Sequence, residues 1–138
     1  MIKYFKTLAV AAMIAVAPTS VQAGEKSTVG EVLVILTSDA VQTQGMAMVL
    51  ANTMAQQGAK VNVLLCDKAG DMALQSYAAA TLKPKDLTPG QMLRGLVKQG
   101  GVAKVCALYL PNSDHSKEDL IEGVEVAMPA EMAGQMLD

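Results

Sequence analysis

The sequence predicts an α/β fold, a three-layer α/β/α sandwich with a mainly parallel sheet of four or five strands. Two observations lead to this prediction. Short runs rich in Val and Leu alternate along the chain with segments of helical periodicity, as in proteins assembled from strand–helix–strand units. The runs are also apolar at nearly every position, which is typical of parallel strands covered by helices on both faces.

Four segments are predicted to form the strands. They span residues 31–37, 61–66, 102–109 and 124–127. Right-handed connections between parallel strands bring the loops that follow them to one edge of the sheet, where α/β proteins usually carry their functional groups. We therefore expect the functional edge to consist of residues 38–45, 66–71 and 110–115.

The first predicted helix spans residues 44–57 and ends before Gly58, a residue type favoured just after helix ends. Its apolar positions follow an i, i+3, i+4, i+8 pattern, which predicts the face that packs on the sheet. These positions hold Met46, Val49, Leu50 and Met54.

A second helix is predicted to begin at Thr88. Thr88 is suited to the N-cap, Pro89 to the first helical position and Gln91 to the third position of a capping box. The helical pattern continues to the two glycines at 100–101.

Two further helices are predicted near the C terminus. Residues 116–119 begin with serine and carry an acidic first turn, which favours a helix start. Residues 129–137 form the last predicted helix, and Met128, Met132 and Met136 lie on one face. This methionine stripe is interpreted either as core or as a surface for association between subunits.

The N-terminal residues have the pattern of a secretory signal peptide. Lys3 and Lys6 precede an apolar segment at 8–17, and small residues follow it. The apolar segment is about half as long as a membrane-spanning helix needs to be. The sequence therefore predicts a signal peptide at 1–23 and one periplasmic or secreted domain at 24–138, without a membrane contact after cleavage.

The composition of the mature chain excludes several classes of function. Removal of 23 residues from 138 leaves 115, and the loss of Lys3 and Lys6 takes the formal net charge from −2 to −4. An acidic chain without a basic run argues against nucleic acid as a partner. Tyr77 and Tyr109 are the only aromatic residues that remain, and no nucleotide-binding glycine motif is present. No cofactor is expected.

The C-terminal half carries a family resemblance. Residues 93–106 combine a helix, a glycine turn and a strand that ends in Cys106, and residues 116–133 combine an acidic helix, a short strand and Pro129 at the start of the last helix. These patterns resemble the DsrE/DsrF-like (YchN/TusD-type) sulfur-relay family. The first strand and helix fit the same layout, so the resemblance covers essentially all of residues 24–138.

The resemblance implies a parallel α/β sheet and a homo-oligomer, often a trimer or hexamer. In family members that transfer sulfur, the cysteine that ends the third strand accepts sulfur as a persulfide, and Cys106 is the matching residue. We therefore expect an exported sulfur carrier, sulfurtransferase-like rather than a turnover enzyme. Its expected partner is a sulfur donor or acceptor protein, or a small sulfur compound.

Sulfur transfer needs a thiolate, and a cysteine with the ordinary pKa of about 8.5 is only a few per cent ionised at neutral pH. Nearby cations raise that fraction. The candidate cations are Lys104, on the same strand face as Cys106, and Lys68, in the neighbouring edge loop. Ser38 and Asp39, in the first edge loop, are further possible contributors to the site. The alternative is that Cys106 is a buried apolar core residue.

Cys66 ends the second predicted strand and is a possible secondary thiol. If the strand order is 2-1-3, the first strand separates Cys66 from Cys106 by about 9–10 Å, beyond the Cα limit of roughly 7 Å for a disulfide. A bond would then require the strand ends to curl over, so the paired and the free states both stay open. The absence of a CxxC motif argues against a thioredoxin-like role.

A non-catalytic oligomeric binding module is the alternative function, for a soft metal such as Cu(I) or for a redox partner protein. Thioether and thiolate ligands suit Cu(I), and the candidate ligands are Met46, Cys66, Met72 and Cys106. Methionines at helical spacing are mostly core filler, which argues against this site. His115, the single histidine, is expected to be a solvated loop residue.

Overall fold

The computed structural model describes residues 30–137, so the predicted signal peptide at 1–23 lies outside the described residues. Four strands form one sheet in which every neighbouring pair is parallel. The strands are β1 (Glu31–Leu36), β2 (Lys60–Leu65), β3 (Val102–Val105) and β4 (Val124–Val126). Within the described range, no helix has the length and apolar character needed to cross a membrane.

Three α-helices cover the two faces of the sheet. They are α1 (Val41–Gln56), α2 (Pro89–Lys98) and α3 (Pro129–Leu137). Helices α1 and α2 pack on one face, where Met48, Leu93 and Val63 belong to the larger apolar core. Helix α3 packs on the opposite face through Met132, which lies in a smaller cluster with Leu64. The predicted three-layer α/β/α sandwich, with a four-stranded parallel sheet, is confirmed.

The strands lie in the sheet in their order along the chain, β1-β2-β3-β4. The order 2-1-3, in which the first strand separates the other two, is wrong for this protein. Leu65 on β2 pairs with Leu36 on β1 and with Val105 on β3, so β2 contacts β3 directly. Both helical connections move the chain one strand in the same direction, and right-handed crossovers therefore place α1 and α2 on the same face.

The buried face of α1 differs from the predicted one. Met46, Val49 and Leu50 are exposed, and the prediction that they pack on the sheet is wrong. The buried residues of the helix are Gln44, Gly45, Met48 and Ala51. A Cβ added at Gly45 would overlap the side chain of Leu82. The close contact with Leu82 therefore requires a residue without a side chain at position 45.

The predicted helix starts are confirmed at two places. Thr88 caps α2, accepting a hydrogen bond from the backbone of Gln91, and the side chain of Gln91 returns the bond to the backbone of Thr88. Ser116 and Asp119 form the same reciprocal arrangement around a short 3-10 helix at Lys117–Asp119. These bonds satisfy backbone N–H groups that have no partner within the helix.

Candidate functional site

Two cysteines lie side by side at the carboxyl edge of the sheet. Cys66 directly follows β2 and Cys106 directly follows β3, one step beyond the paired residues Leu65 and Val105. Backbone hydrogen bonds of the ladder still hold both residues, because Cys66 N–H donates to the carbonyl of Leu36 (2.9 Å) and Cys106 N–H donates to that of Leu65 (2.8 Å). The backbones of both cysteines are thus held in the hydrogen-bonded ladder of the sheet.

The two side chains are joined as a disulfide, and their Cα atoms are 5.0 Å apart. This separation falls within the range that disulfides adopt and is close to the spacing between neighbouring strands. The separation of about 9–10 Å expected from the order 2-1-3 is wrong, because β2 and β3 are neighbours. No curling of the strand ends is needed.

The chain turns sharply after each cysteine. Asp67 has a φ of 50°, a left-handed conformation that Asp adopts more readily than most residues, and it begins a 3-10 helix at Asp67–Ala73. After Cys106, the N–H of Tyr109 donates to the carbonyl of Cys106 (2.9 Å). The predicted strand at 102–109 is therefore four residues too long, since β3 ends at Val105.

Tyr109 connects the two turns. Its ring packs so closely on the 3-10 helix that a Cβ added at Gly70 would overlap it, and its hydroxyl donates to the carboxylate of Asp71 (2.7 Å). Burial raises the pKa of Tyr109 well above its ordinary value, and the hydrogen bond and charge of Asp71 raise it further. Burial and then the charge of Asp71 also raise the pKa of Tyr77. Both phenols therefore remain protonated at neutral pH.

A cleft with a volume of about 770 Å³ opens above the disulfide. Cys66, Cys106 and Tyr109 form part of its lining. The other lining residues are Asp67, Lys68, Asp71, Leu108, Asn112, Ser113, Asp114 and His115. The loops after β2 and β3, two of the three predicted edge loops, are thus brought together around the cysteines.

The candidate cations differ in what surrounds them. Lys104 is only 13% exposed and donates to both carboxylate oxygens of Glu131 on α3, at 2.6 and 2.7 Å. Its charge is therefore compensated by a carboxylate. Lys68 lines the cleft and makes no ion pair with any residue in 30–137. Of the two, Lys68 is the cation that can act on an anion in the cleft.

The first edge loop does not reach the cleft. The hydroxyl of Ser38 accepts a hydrogen bond from the N–H of Ala40 (3.1 Å), and the carbonyl of Ser38 accepts one from the side chain of Gln44 (2.8 Å). Ser38 thus shapes the turn into α1. Neither Ser38 nor Asp39 lines the cleft.

The candidate soft-metal ligands are dispersed. Met46 is 57% exposed on the outer face of α1, Met72 is fully buried in the larger core, and neither lines the cleft beside the cysteines. Over residues 30–137, no group of three or more His, Cys, Asp or Glu side chains is arranged to hold a metal ion. His115, expected to be a solvated loop residue, is half-buried and lines the cleft.

The contact between Tyr109 and Asp71 was not anticipated from the sequence. Tyr109 extends an apolar run, which favoured a longer strand, and nothing local shows that the run bends back over the preceding loop. Gly70 was the available signal, since a glycine inside a polar loop often marks a close approach of another group.

Comparison with known proteins identifies the fold. No family model matches the chain, and no curated protein sequence is similar to it. Among solved structures, the chain resembles the ychN protein from E. coli with a TM-score of 0.65 and 20% sequence identity. The similarity covers 80% of this chain and 92% of that protein. The chain therefore has a DsrE/TusD-type fold.

Proposed function

We propose that this protein is an exported sulfur-transfer protein in which Cys106 accepts sulfur as a persulfide. The observation that carries the proposal is the position of Cys106, which ends β3 at the carboxyl edge of the sheet and lines the cleft. The DsrE-type fold is consistent with a role in sulfur relay. The cleft gives a small sulfur compound, or the sulfur-bearing group of a donor protein, a route to the thiol of Cys106.

A thiol or dithiol reductant from outside the protein must first open the disulfide, because Sγ of Cys106 cannot act as a thiolate while it is bonded to Sγ of Cys66. The Cys106 thiolate then attacks the outer sulfur of a persulfide donor, R–S–S⁻. A bond forms between Sγ of Cys106 and that outer sulfur, the S–S bond of the donor breaks, and the donor leaves as the thiolate R–S⁻. The ammonium of Lys68 favours the attacking thiolate by its positive charge.

The mass of the protein tests this step. The Cys66→Ser variant keeps Cys106 as a free thiol, and after treatment with glutathione persulfide it should gain one sulfur, about 32 Da, which dithiothreitol removes. Cys106→Ser is the matched control and should gain none. Wild-type protein kept in the disulfide form should gain none either. Absence of the mass gain in a folded Cys66→Ser variant would rule out the sulfur-carrier function and favour the non-catalytic binding module.

The signal-peptide pattern at 1–23 supports the export that we propose. A compartment that sustains disulfides also suits the bond between the two cysteines. Protein recovered from the periplasmic fraction should begin at Gly24, as measured by N-terminal sequencing. A cytoplasmic protein that retains Lys3 and Lys6 would contradict export.

Assembly into a homo-oligomer is part of the proposal. Ile35 on β1, and Met128 and Met136 around α3, are large apolar side chains that are exposed in the single chain. Exposed apolar side chains favour burial against another subunit. Light scattering at micromolar concentration should give the mass of a trimer or hexamer of mature chains. The mass of one chain would refute association.

A further inference from the structure

We infer that Cys66 is a resolving thiol, which attacks the persulfide on Cys106 and releases hydrosulfide. This inference rests on the proposed persulfide chemistry at Cys106 and goes beyond it. It assigns the protein a second activity, the reduction of a bound persulfide by an internal dithiol, with persulfides as the substrate class and hydrosulfide as the product.

The register of the sheet places Sγ of Cys106 within reach of Cys66. Cys66 and Cys106 follow paired residues of adjacent parallel strands, their Cα atoms are 5.0 Å apart, and their Sγ atoms are bonded to each other. The thiol of Cys66 therefore reaches the Sγ atom of Cys106 itself. When Cys106 carries a persulfide, Sγ is the inner sulfur, and attack on the inner sulfur expels the outer one.

The reaction balances in atoms and electrons. The Cys66 thiolate forms a bond with Sγ of Cys106, the bond between that Sγ and the outer sulfur breaks, and the outer sulfur leaves with the electron pair as HS⁻ after taking the persulfide proton. The two cysteine sulfurs are oxidised to the disulfide, and the sulfane sulfur is reduced to sulfide. A thiol or dithiol reductant from outside the protein then reopens the disulfide.

The strands and the cleft make the cycle possible without large motion. Backbone hydrogen bonds hold both cysteines in the same ladder, so the reacting sulfurs keep their neighbouring positions after the bond opens. Both residues line the cleft, which gives the donor and the reductant access to the same pair of sulfurs.

The test measures hydrosulfide and persulfide together. Wild-type, Cys66→Ser and Cys106→Ser proteins are reduced, freed of reductant, and mixed with one equivalent of glutathione persulfide. A double variant lacking both thiols gives the background release from the reagent. Wild-type protein should release about one hydrosulfide per chain, end in the disulfide form and retain no persulfide. Cys66→Ser should retain the added 32 Da on Cys106 and release less than about a tenth as much.

The rate separates an internal step from a reaction between chains. With glutathione persulfide held at one fixed excess concentration, release from wild-type protein should follow a rate constant that does not change over a tenfold range of protein concentration. Cys66→Ala, which leaves no hydroxyl at this position, should behave as Cys66→Ser does, and the circular dichroism of both should match that of reduced wild type.

Two results would overturn the inference while leaving the proposed function in place. One is a stable persulfide on Cys106 in wild-type protein without release of hydrosulfide. The other is movement of the extra sulfur to Cys66, since that requires attack on the outer sulfur. If neither wild type nor Cys66→Ser takes up sulfur, the proposed function itself is wrong and the inference fails with it.

Discussion

Breaking the bond between Cys66 and Cys106 is expected to lower the free energy of unfolding by about 4 kcal/mol. The bond joins residues 40 positions apart. Closing a loop of that length removes about 13 cal/mol/K of entropy from the unfolded chain, which is about 4 kcal/mol at 25 °C. Measured losses on removal of native disulfides are roughly 2–5 kcal/mol, so the predicted value lies within the usual range.

Urea unfolding followed by circular dichroism measures this difference. With a slope of about 1.5 kcal/mol per molar urea, the midpoint should fall by about 2.7 M when the oxidised protein is reduced. The double variant Cys66→Ala/Cys106→Ala is the control, since its midpoint should be low from the start and should not respond to reductant. Coincident curves for oxidised and reduced wild type would refute the reasoning, because the bond would then not constrain the chain.

Three further predictions concern the residues around the cysteines. Gly70→Ala places a methyl group against the ring of Tyr109 and should cost about 1–3 kcal/mol in urea unfolding, as overpacking does. Folding raises the pKa of Tyr109 from its ordinary value of 10.0. The contribution of Tyr109 to the free energy of unfolding is therefore complete below about pH 10, and stability should fall as the pH rises above about 10. Tyr109→Phe should flatten that decline. Lys68→Met should slow alkylation of reduced Cys106 about threefold, since one charge in a solvated cleft contributes roughly 0.6 kcal/mol, whereas Lys104→Met, whose cation is already paired with a carboxylate, should change it less than twofold.

The fold could be predicted because its signals are local. Strands apolar on both faces and the cap formed by Thr88 and Gln91 depend on residues that are close in sequence. The inner face of α1 could not be predicted in the same way. Gln44 looks polar in the sequence, yet its side chain is buried, where it accepts a hydrogen bond from Tyr77 (2.6 Å) and donates one to the carbonyl of Ser38 (2.8 Å). Distant partners make that burial possible.

The position of Cys106 at the functional edge of the sheet could also be predicted, because the end of a parallel strand determines it. Its partner could not, since the alternation of strands and helices is the same for the orders 2-1-3 and 1-2-3. The order decides whether β1 lies between the two cysteines. Only the observed pairing of Leu65 with Val105 makes Cys66 the neighbour of Cys106.

The central claim is that the folded, reduced protein presents Cys106 as a nucleophile in the cleft. Competitive alkylation tests this claim most directly. Native protein is reduced, freed of reductant and given a short pulse of iodoacetamide near neutral pH. Mass spectrometry of its peptides then compares the alkylated fractions of Cys106 and Cys66. We predict that Cys106 is alkylated faster than Cys66, and that both react after unfolding in urea. Protection of Cys106 in the reduced native protein, with reaction only after unfolding, would contradict the claim.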